Sequence, residues 1–401
     1  MSKFDYPLAS WARTTKTSSM QEMLSLSAKP NLTLFGLGLP NPNLFPNKLL
    51  AEISTEMLQE SQNVLQYGPS SGALKTHISQ LMSLRGADVA EENVFLTSGA
   101  QQGIQLLVRL LIDSGDTVLI EETIYTGFQQ LLEPFKPKIV TVPTDPVHGM
   151  DVDAVEDLLR KGVRPSFIYC IPNGHNPLGY NLTLEKRKKL VSLASHYHVP
   201  IIEDDPYGFL HYEQANLPPL VSFDQDWVLY VGSFSKILAP GVRMGWVVAP
   251  LWLVEKLAII KEANDINTTS FSQQLVTRFI DKGYLQSHIQ LLCTEYRERR
   301  NTMINALEEH LGSFGSWETP GNGMFVWLKL SPEINTTQLF KESIDCAQVA
   351  YLPGESFSVI AKADDKNSMR LNFSYNDHDQ IQSGIRRLAN LIKQKHGVTV
   401  S

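Results

Sequence analysis

Between Asn93 and Val248 short apolar runs alternate with segments of helical period. Strands are expected at residues 94–97, 118–121, 139–142, 167–171, 200–203, 228–231 and 244–248. Each is a brief run rich in β-branched or aromatic side chains, too short for a helix. Helical periods fill intervals between them, at residues 100–114, 127–133, 152–160 and 183–196. Such alternation builds a mainly parallel sheet covered by helices on both faces, because parallel neighbours need a crossover between them.

The flanks read differently. Helices are expected at residues 18–26, 49–58 and from Gly72 through about Arg85. Between the first two lies Leu34-Phe-Gly-Leu-Gly-Leu-Pro-Asn-Pro-Asn-Leu-Phe-Pro46, whose glycines and prolines exclude regular structure. It reads as an arm in which Gly36 and Gly38 allow close backbone approach. After Ala249 the chain turns helical, with one long period at 285–311 that Gly312 would end as a C-cap. Glu295, Arg297, Glu298, Arg299 and Arg300 are assigned to its solvated side. The remainder mixes strands and helices. The expected division is an arm at 1–49 joining the small domain, a three-layer αβα large domain at 50–284, and a smaller α+β domain at 285–401 that begins with the long helix.

Composition removes several function classes. Of 401 residues 43% are hydrophobic and 19% charged, and the formal net charge is -7. No stripe of Lys and Arg could follow a phosphate backbone, so nucleic acid is not an expected partner. The densest basic cluster, Lys186 to Lys189, lies on a helical period and reads as a solvated face. Met1 to Pro7 carries no secretory pattern, and the apolar neighbourhood 246–260 is interrupted by Pro250, Glu255 and Lys256, so no membrane span is expected. Cys170, Cys293 and Cys346 are odd in number and far apart. They suit free thiols in a reducing cytoplasm better than disulfides or a metal site.

An open α/β sheet gathers ligand groups at the carboxyl ends of its strands. The run 228–231 is followed by Ser233, Ser235, Lys236 and Arg243, among Gly232, Gly241 and Gly245. Two hydroxyls, an amine and a guanidinium there suit an anion carrying an aldehyde: the amine attacks the carbonyl, and arginine with serine holds a phosphate. Pyridoxal 5'-phosphate offers both handles. After 94–97 come Ser98, Gly99, Ala100 and Gln101 at a helix start, with free backbone N–H groups for an anion. After 167–171 comes Asn176 before Pro177, and after 200–203 come Asp204, Asp205 and Tyr207. A buried carboxylate can keep a pyridine nitrogen protonated, and a phenol and an amide can donate to the ring's 3-oxygen.

On these residues the chain resembles the fold-type I pyridoxal-phosphate aminotransferases, aspartate aminotransferase-like in fold, in the class I/II group near the 2-aminoadipate and aromatic aminotransferases. The resemblance runs from Gly36-Leu-Gly-Leu-Pro40 through Arg370-Leu-Asn-Phe-Ser374, and its most specific motif is Ser233-Phe-Ser-Lys236 with Arg243. It implies that Lys236 is the Schiff-base lysine, Asp204 the partner of the pyridinium, and Tyr207 with Asn176 the partners of the 3-oxygen. Ser98, Gly99, Ala100, Gln101, Ser233, Ser235 and Arg243 would surround the phosphate, with Tyr125 stacked on the ring. Arg370 would take the substrate α-carboxylate, beside Gly38 and Asn176. Tyr67 would reach the phosphate of a neighbouring subunit, which implies a homodimer with shared sites.

The implied reaction is ping-pong amino transfer between an L-amino acid and a 2-oxo acid. Two departures stand out. Leu178 occupies a position where the family has a small residue, and Gln21 one where many members carry arginine. A missing cation there shifts the expected substrate from 2-aminoadipate toward apolar or aromatic amino acids, with glutamate and 2-oxoglutarate as the second pair. The same scaffold also serves lyases, cyclases, amino-acid oxidases and sensor domains without turnover, and these alternatives stay open on sequence.

Overall fold

The computed structural model describes residues 7–13, 19–26, 29, 31–213, 217–360 and 365–395. Every strand expected between Asn93 and Val248 forms: β1 (Val94–Thr97), β2 (Thr117–Glu121), β3 (Lys138–Val142), β4 (Ile168–Cys170), β5 (Ile201–Asp204), β6 (Val228–Ser233) and β7 (Gly245–Val248). They build one sheet in the order β1-β7-β6-β5-β4-β2-β3. Neighbours run parallel except around β7, which is antiparallel to both β1 and β6. The reversal follows from chain length, since residues 234–244 are too few for the dozen or more that a parallel crossover needs. Strands β4 to β7 are buried at every position, so they show no apolar/polar alternation, and their polar residues Glu203, Asp204 and Ser233 gather at the carboxyl ends.

A second, antiparallel sheet is made of Gly315–Ser316, Phe325–Leu330, Ser368–Asn372 and Leu352–Pro353 in that order. The arm is stitched to the same region. Thr33–Leu34 pairs in parallel with Val349–Ala350, Phe35 and Gly36 donate backbone N–H bonds to Ala350 O, and Phe35 O accepts from Asn372 N at 2.8 Å. This fixes Gly36 and Gly38 over the carboxyl ends of the large sheet. The expected N-terminal helix is Ser19–Leu26, Ser18 lying outside the described residues.

Two sequence expectations fail, both for one physical reason. Arg187, assigned to a solvated face, is fully buried, and its guanidinium donates to Leu182 O, Pro172 O, Pro218 O and Asn173 Oδ1. Arg299 and Arg300 of the helix Tyr284–Leu311 are also buried. They donate to Ser374 O and Pro320 O, and Arg300 also pairs with Glu213. A fork with five donors satisfies loop carbonyls that have no ladder partner, which repays its burial. Gly312 caps the long helix as expected, with φ -54° in the right-handed region. Among the described residues no helix is long and apolar enough to cross a membrane.

Candidate active site

The carboxyl ends of β1, β4, β5 and β6 and the arm enclose a cavity of about 250 Å³. Its wall contains Gly38, Ala100, Gln101, Tyr125, Asn176, Asp204, Tyr207, Ser233, Ser235, Lys236, Arg243 and Arg370, all singled out in the sequence. Ser98 and Gly99 stand behind that wall at the start of the helix Ala100–Leu111. Tyr67 is not brought to its own chain's cavity and is 71% exposed.

Asp204 is the last residue of β5 and is 3% exposed. Its Oδ2 accepts from the Tyr169 hydroxyl at 2.7 Å, while its Oδ1, equally buried, finds no partner among the described residues. Burial pushes its pKa up to about 7, against the opposing pull of the Tyr169 hydrogen bond. One carboxylate oxygen therefore waits for a donor inside the cavity. Lys236 stands opposite in chemical sense. Its Nζ donates to Gly38 O at 2.8 Å, and burial, aided by the charges of Arg370 and Arg243, lowers its pKa to about 8. Such an amine is partly neutral near neutral pH and is nucleophilic.

The anion end is built by β1 and β6. Gly99 has φ 88°, and a Cβ there would lie 2.7 Å from Arg243 Nη2, so only glycine lets the guanidinium lie against the helix start. Arg243 donates to Ser98 O at 2.8 Å, and Ser233 Oγ accepts from Ser235 N at 3.1 Å. The Ser98 N–H donates to Gln102 Oε1 at 2.8 Å and its hydroxyl lies 3.4 Å from Asp265 Oδ2. Ser98 thus shapes the cradle from outside, leaving the first backbone N–H groups of the helix to face the cavity.

The opposite end is cationic too. Arg370, 2% exposed, donates to Asn176 Oδ1 and Gly36 O, both at 2.6 Å, and its buried Nε has no partner among the described residues. The guanidinium carbon lies 4.2 Å from the Phe325 ring centre and 4.9 Å from that of Phe357. Burial lowers its pKa to about 10. Asn176 also hydrogen-bonds Tyr207, whose hydroxyl pKa burial raises, and Tyr207 packs edge-on against Phe325. Tyr125 is kept neutral by burial and then by the Asp204 charge. The Gly127 position leaves room for it, because a Cβ there would come within 2.4 Å of the Tyr125 ring.

Sequence reasoning missed the support beneath these groups. Tyr169 was counted only as part of a strand, yet it is the hydrogen-bond partner of Asp204 and stacks on Phe128 with ring centres 3.6 Å apart. Asp205 pairs with buried Arg85 and accepts from Asn173 Nδ2 at 3.0 Å. Glu203 accepts from the Leu220 and Val221 N–H groups. Of these three consecutive buried acids, Asp205 is paired with Arg85 and Glu203 holds two backbone N–H donors, while Asp204 keeps one oxygen with no partner among the described residues. A cationic ring N–H would complete it, and the unpartnered Arg370 Nε equally suits an incoming carboxylate, so the residues fit pyridoxal 5'-phosphate and an amino acid.

A doubly wound sheet with an amine, a lone buried acid and two anion-holding ends defines a pyridoxal-phosphate enzyme. The chain belongs to the aminotransferases of class I and II, whose sequence profile matches residues 32–388. It is 37% identical over 389 residues to aromatic-amino-acid aminotransferase 1 of Thermococcus litoralis, covering 95% of this chain and 92% of that one. Among solved structures, a kynurenine aminotransferase of Pyrococcus horikoshii in complex with PMP superposes with a TM-score of 0.89 at 34% identity, covering 97% of each chain. An alpha-aminoadipate aminotransferase of Thermus thermophilus, complexed with N-(5'-phosphopyridoxyl)-L-leucine, gives a TM-score of 0.89 at 31% identity, covering 97% of this chain and 98% of that one.

Proposed function

We propose that the enzyme moves an amino group between an L-amino acid with an apolar, aromatic or 2-aminoadipate-type side chain and a 2-oxo acid, in two half-reactions at one site. Glutamate and 2-oxoglutarate are the proposed second pair. The observation that carries the reading is a single cavity with Arg243 at one end, Arg370 at the other, and an amine, Lys236, that feels both charges. Gln21, exposed on the helix Ser19–Leu26, places no cation there for a distal carboxylate and so favours apolar and aromatic side chains.

When bound, pyridoxal 5'-phosphate supplies the electron sink that weakens the bonds at the substrate α-carbon. Asp204 Oδ1 would hold the ring nitrogen's proton, Asn176 and Tyr207 the 3-oxygen, and Tyr125 the ring face. The N–H groups of Gly99, Ala100 and Gln101, with Ser233, Ser235 and Arg243, would hold the phosphate. Arg370 takes the α-carboxylate through its fork. Lys236 Nζ, with its pKa lowered to about 8, would carry the proton between the substrate α-carbon and the cofactor's aldehyde carbon. Burial beneath Phe325 and the arm keeps water from these donors.

Tyr67 would serve the phosphate at the partner subunit's site. The exposed apolar residues Leu65, Trp252 and Ile259 support such pairing of two copies, and the three unpaired cysteines agree with a cytoplasmic enzyme. The test is a panel of amino acids added singly to the holoenzyme, read by conversion of the cofactor's absorbance to that of its amine form. Conversion by phenylalanine, leucine or 2-aminoadipate supports the reading, and release of ammonia with no conversion by any amino acid overturns it.

A further inference from the structure

The helix start that forms the anion cradle is held from behind by a charged cluster that no role above uses. Lys261, on the helix Leu251–Asp265, is 4% exposed. Its Nζ donates to both oxygens of Asp265, at 2.8 and 3.0 Å, and to Gln102 Oε1 at 2.8 Å. Gln102 Nε2 donates to Asp265 Oδ2 at 2.5 Å, and Gln102 Oε1 also accepts the Ser98 N–H. Ser98 then passes the constraint forward, because its carbonyl is the acceptor for Arg243. The arrangement places a carboxylate next to residues that border an anion site. That is unfavourable unless a cation stands with it.

We infer that Lys261 is a positioning residue for the cofactor phosphate: it cancels the charge of Asp265 and, with Gln102, locks Ser98 and the Gly99–Gln101 backbone into the cradle. The inference rests on the reading of the cavity as a pyridoxal 5'-phosphate site. The lock is directional. Asp265 fixes the nitrogen end of the Gln102 amide, so the oxygen end has to face both Lys261 and the Ser98 N–H. Without the lysine, the amide keeps its hydrogen bond to Asp265, but the carboxylate charge is left to act on the anion beyond Ser98. In a partly buried region such a charge acts through a low effective dielectric and weighs more than at the surface.

The test is an absorbance titration of the full-length chain with pyridoxal 5'-phosphate and, separately, with pyridoxal, which has the aldehyde and ring but no phosphate. Lys261→Met keeps the stem and removes the charge. It should weaken binding of the phosphate ester by roughly 10-fold and leave pyridoxal binding unchanged. Asp265→Asn alone should tighten the phosphate ester. The double variant Lys261→Met with Asp265→Asn should return to within a few-fold of wild type, a rescue that loss of structure cannot produce. Equal weakening of both compounds by Lys261→Met overturns the inference, as does a double variant no tighter than Lys261→Met, or weaker ester binding in Asp265→Asn. A wild-type chain that takes neither compound overturns the cofactor reading as a whole.

Discussion

Replacing Asp204 by asparagine should make the cofactor-free protein more stable at pH 8 while removing its activity. The carboxyl has a pKa near 3.9 in an unfolded chain and is pushed up to about 7 by burial in the fold. Below pH 4 both states hold the proton and the group costs nothing. Between pH 4 and 7 the unfolded chain releases it and the folded protein keeps it, so wild type loses stability as pH rises, and above pH 7 the loss is constant. Three units correspond to at most ~4 kcal/mol, and we expect about 2–4 kcal/mol in favour of Asp204→Asn at pH 8, shrinking below about 1 kcal/mol near pH 4. With an unfolding entropy of about 2 cal/mol/K per residue, this is a rise of roughly 2–5 °C in Tm. The asparagine oxygen can still accept from Tyr169, so that hydroxyl keeps its acceptor, and the amide N–H groups take the place of Oδ1, which has no partner among the described residues. The assay is thermal unfolding of both cofactor-free proteins across pH 4–8. A variant no more stable than wild type at pH 8, or a gap that does not grow with pH, refutes the reasoning.

The strand ends were legible because each needs only local information: an apolar run, then a glycine or polar cluster. The cavity followed from topology, since parallel strands deliver those clusters to one edge. What escaped were residues whose meaning depends on a remote acceptor. Arg187, Arg299 and Arg300 sit at helical spacing among other charges, and nothing local reveals carbonyls at Pro218, Pro320 or Ser374. Tyr169 looks like any strand aromatic until β5 is laid beside β4 and places Asp204 under its hydroxyl. Gly127 carried a usable signal, a glycine two residues after Tyr125 at a helix start, but its reason is the space the ring occupies.

Arg370→Lys gives up the fork geometry, and KM for the amino acid should rise roughly 10–100-fold with a smaller change in kcat, measured by steady-state kinetics. Gly127→Ala drives a methyl into Tyr125 and should cost ~1–3 kcal/mol in stability and loosen the cofactor, seen as faster loss on dialysis. Arg187→Met strands buried carbonyl acceptors and should destabilise the fold by about 3–5 kcal/mol in urea titration.

The account turns on which atom bonds the cofactor's aldehyde carbon. Borohydride reduction of the holoenzyme, followed by proteolysis and mass spectrometry, should place a single phosphopyridoxyl group on Lys236, with none in Lys236→Ala. A reduced adduct on another lysine, or no adduct in a protein that still turns over amino acids, contradicts it.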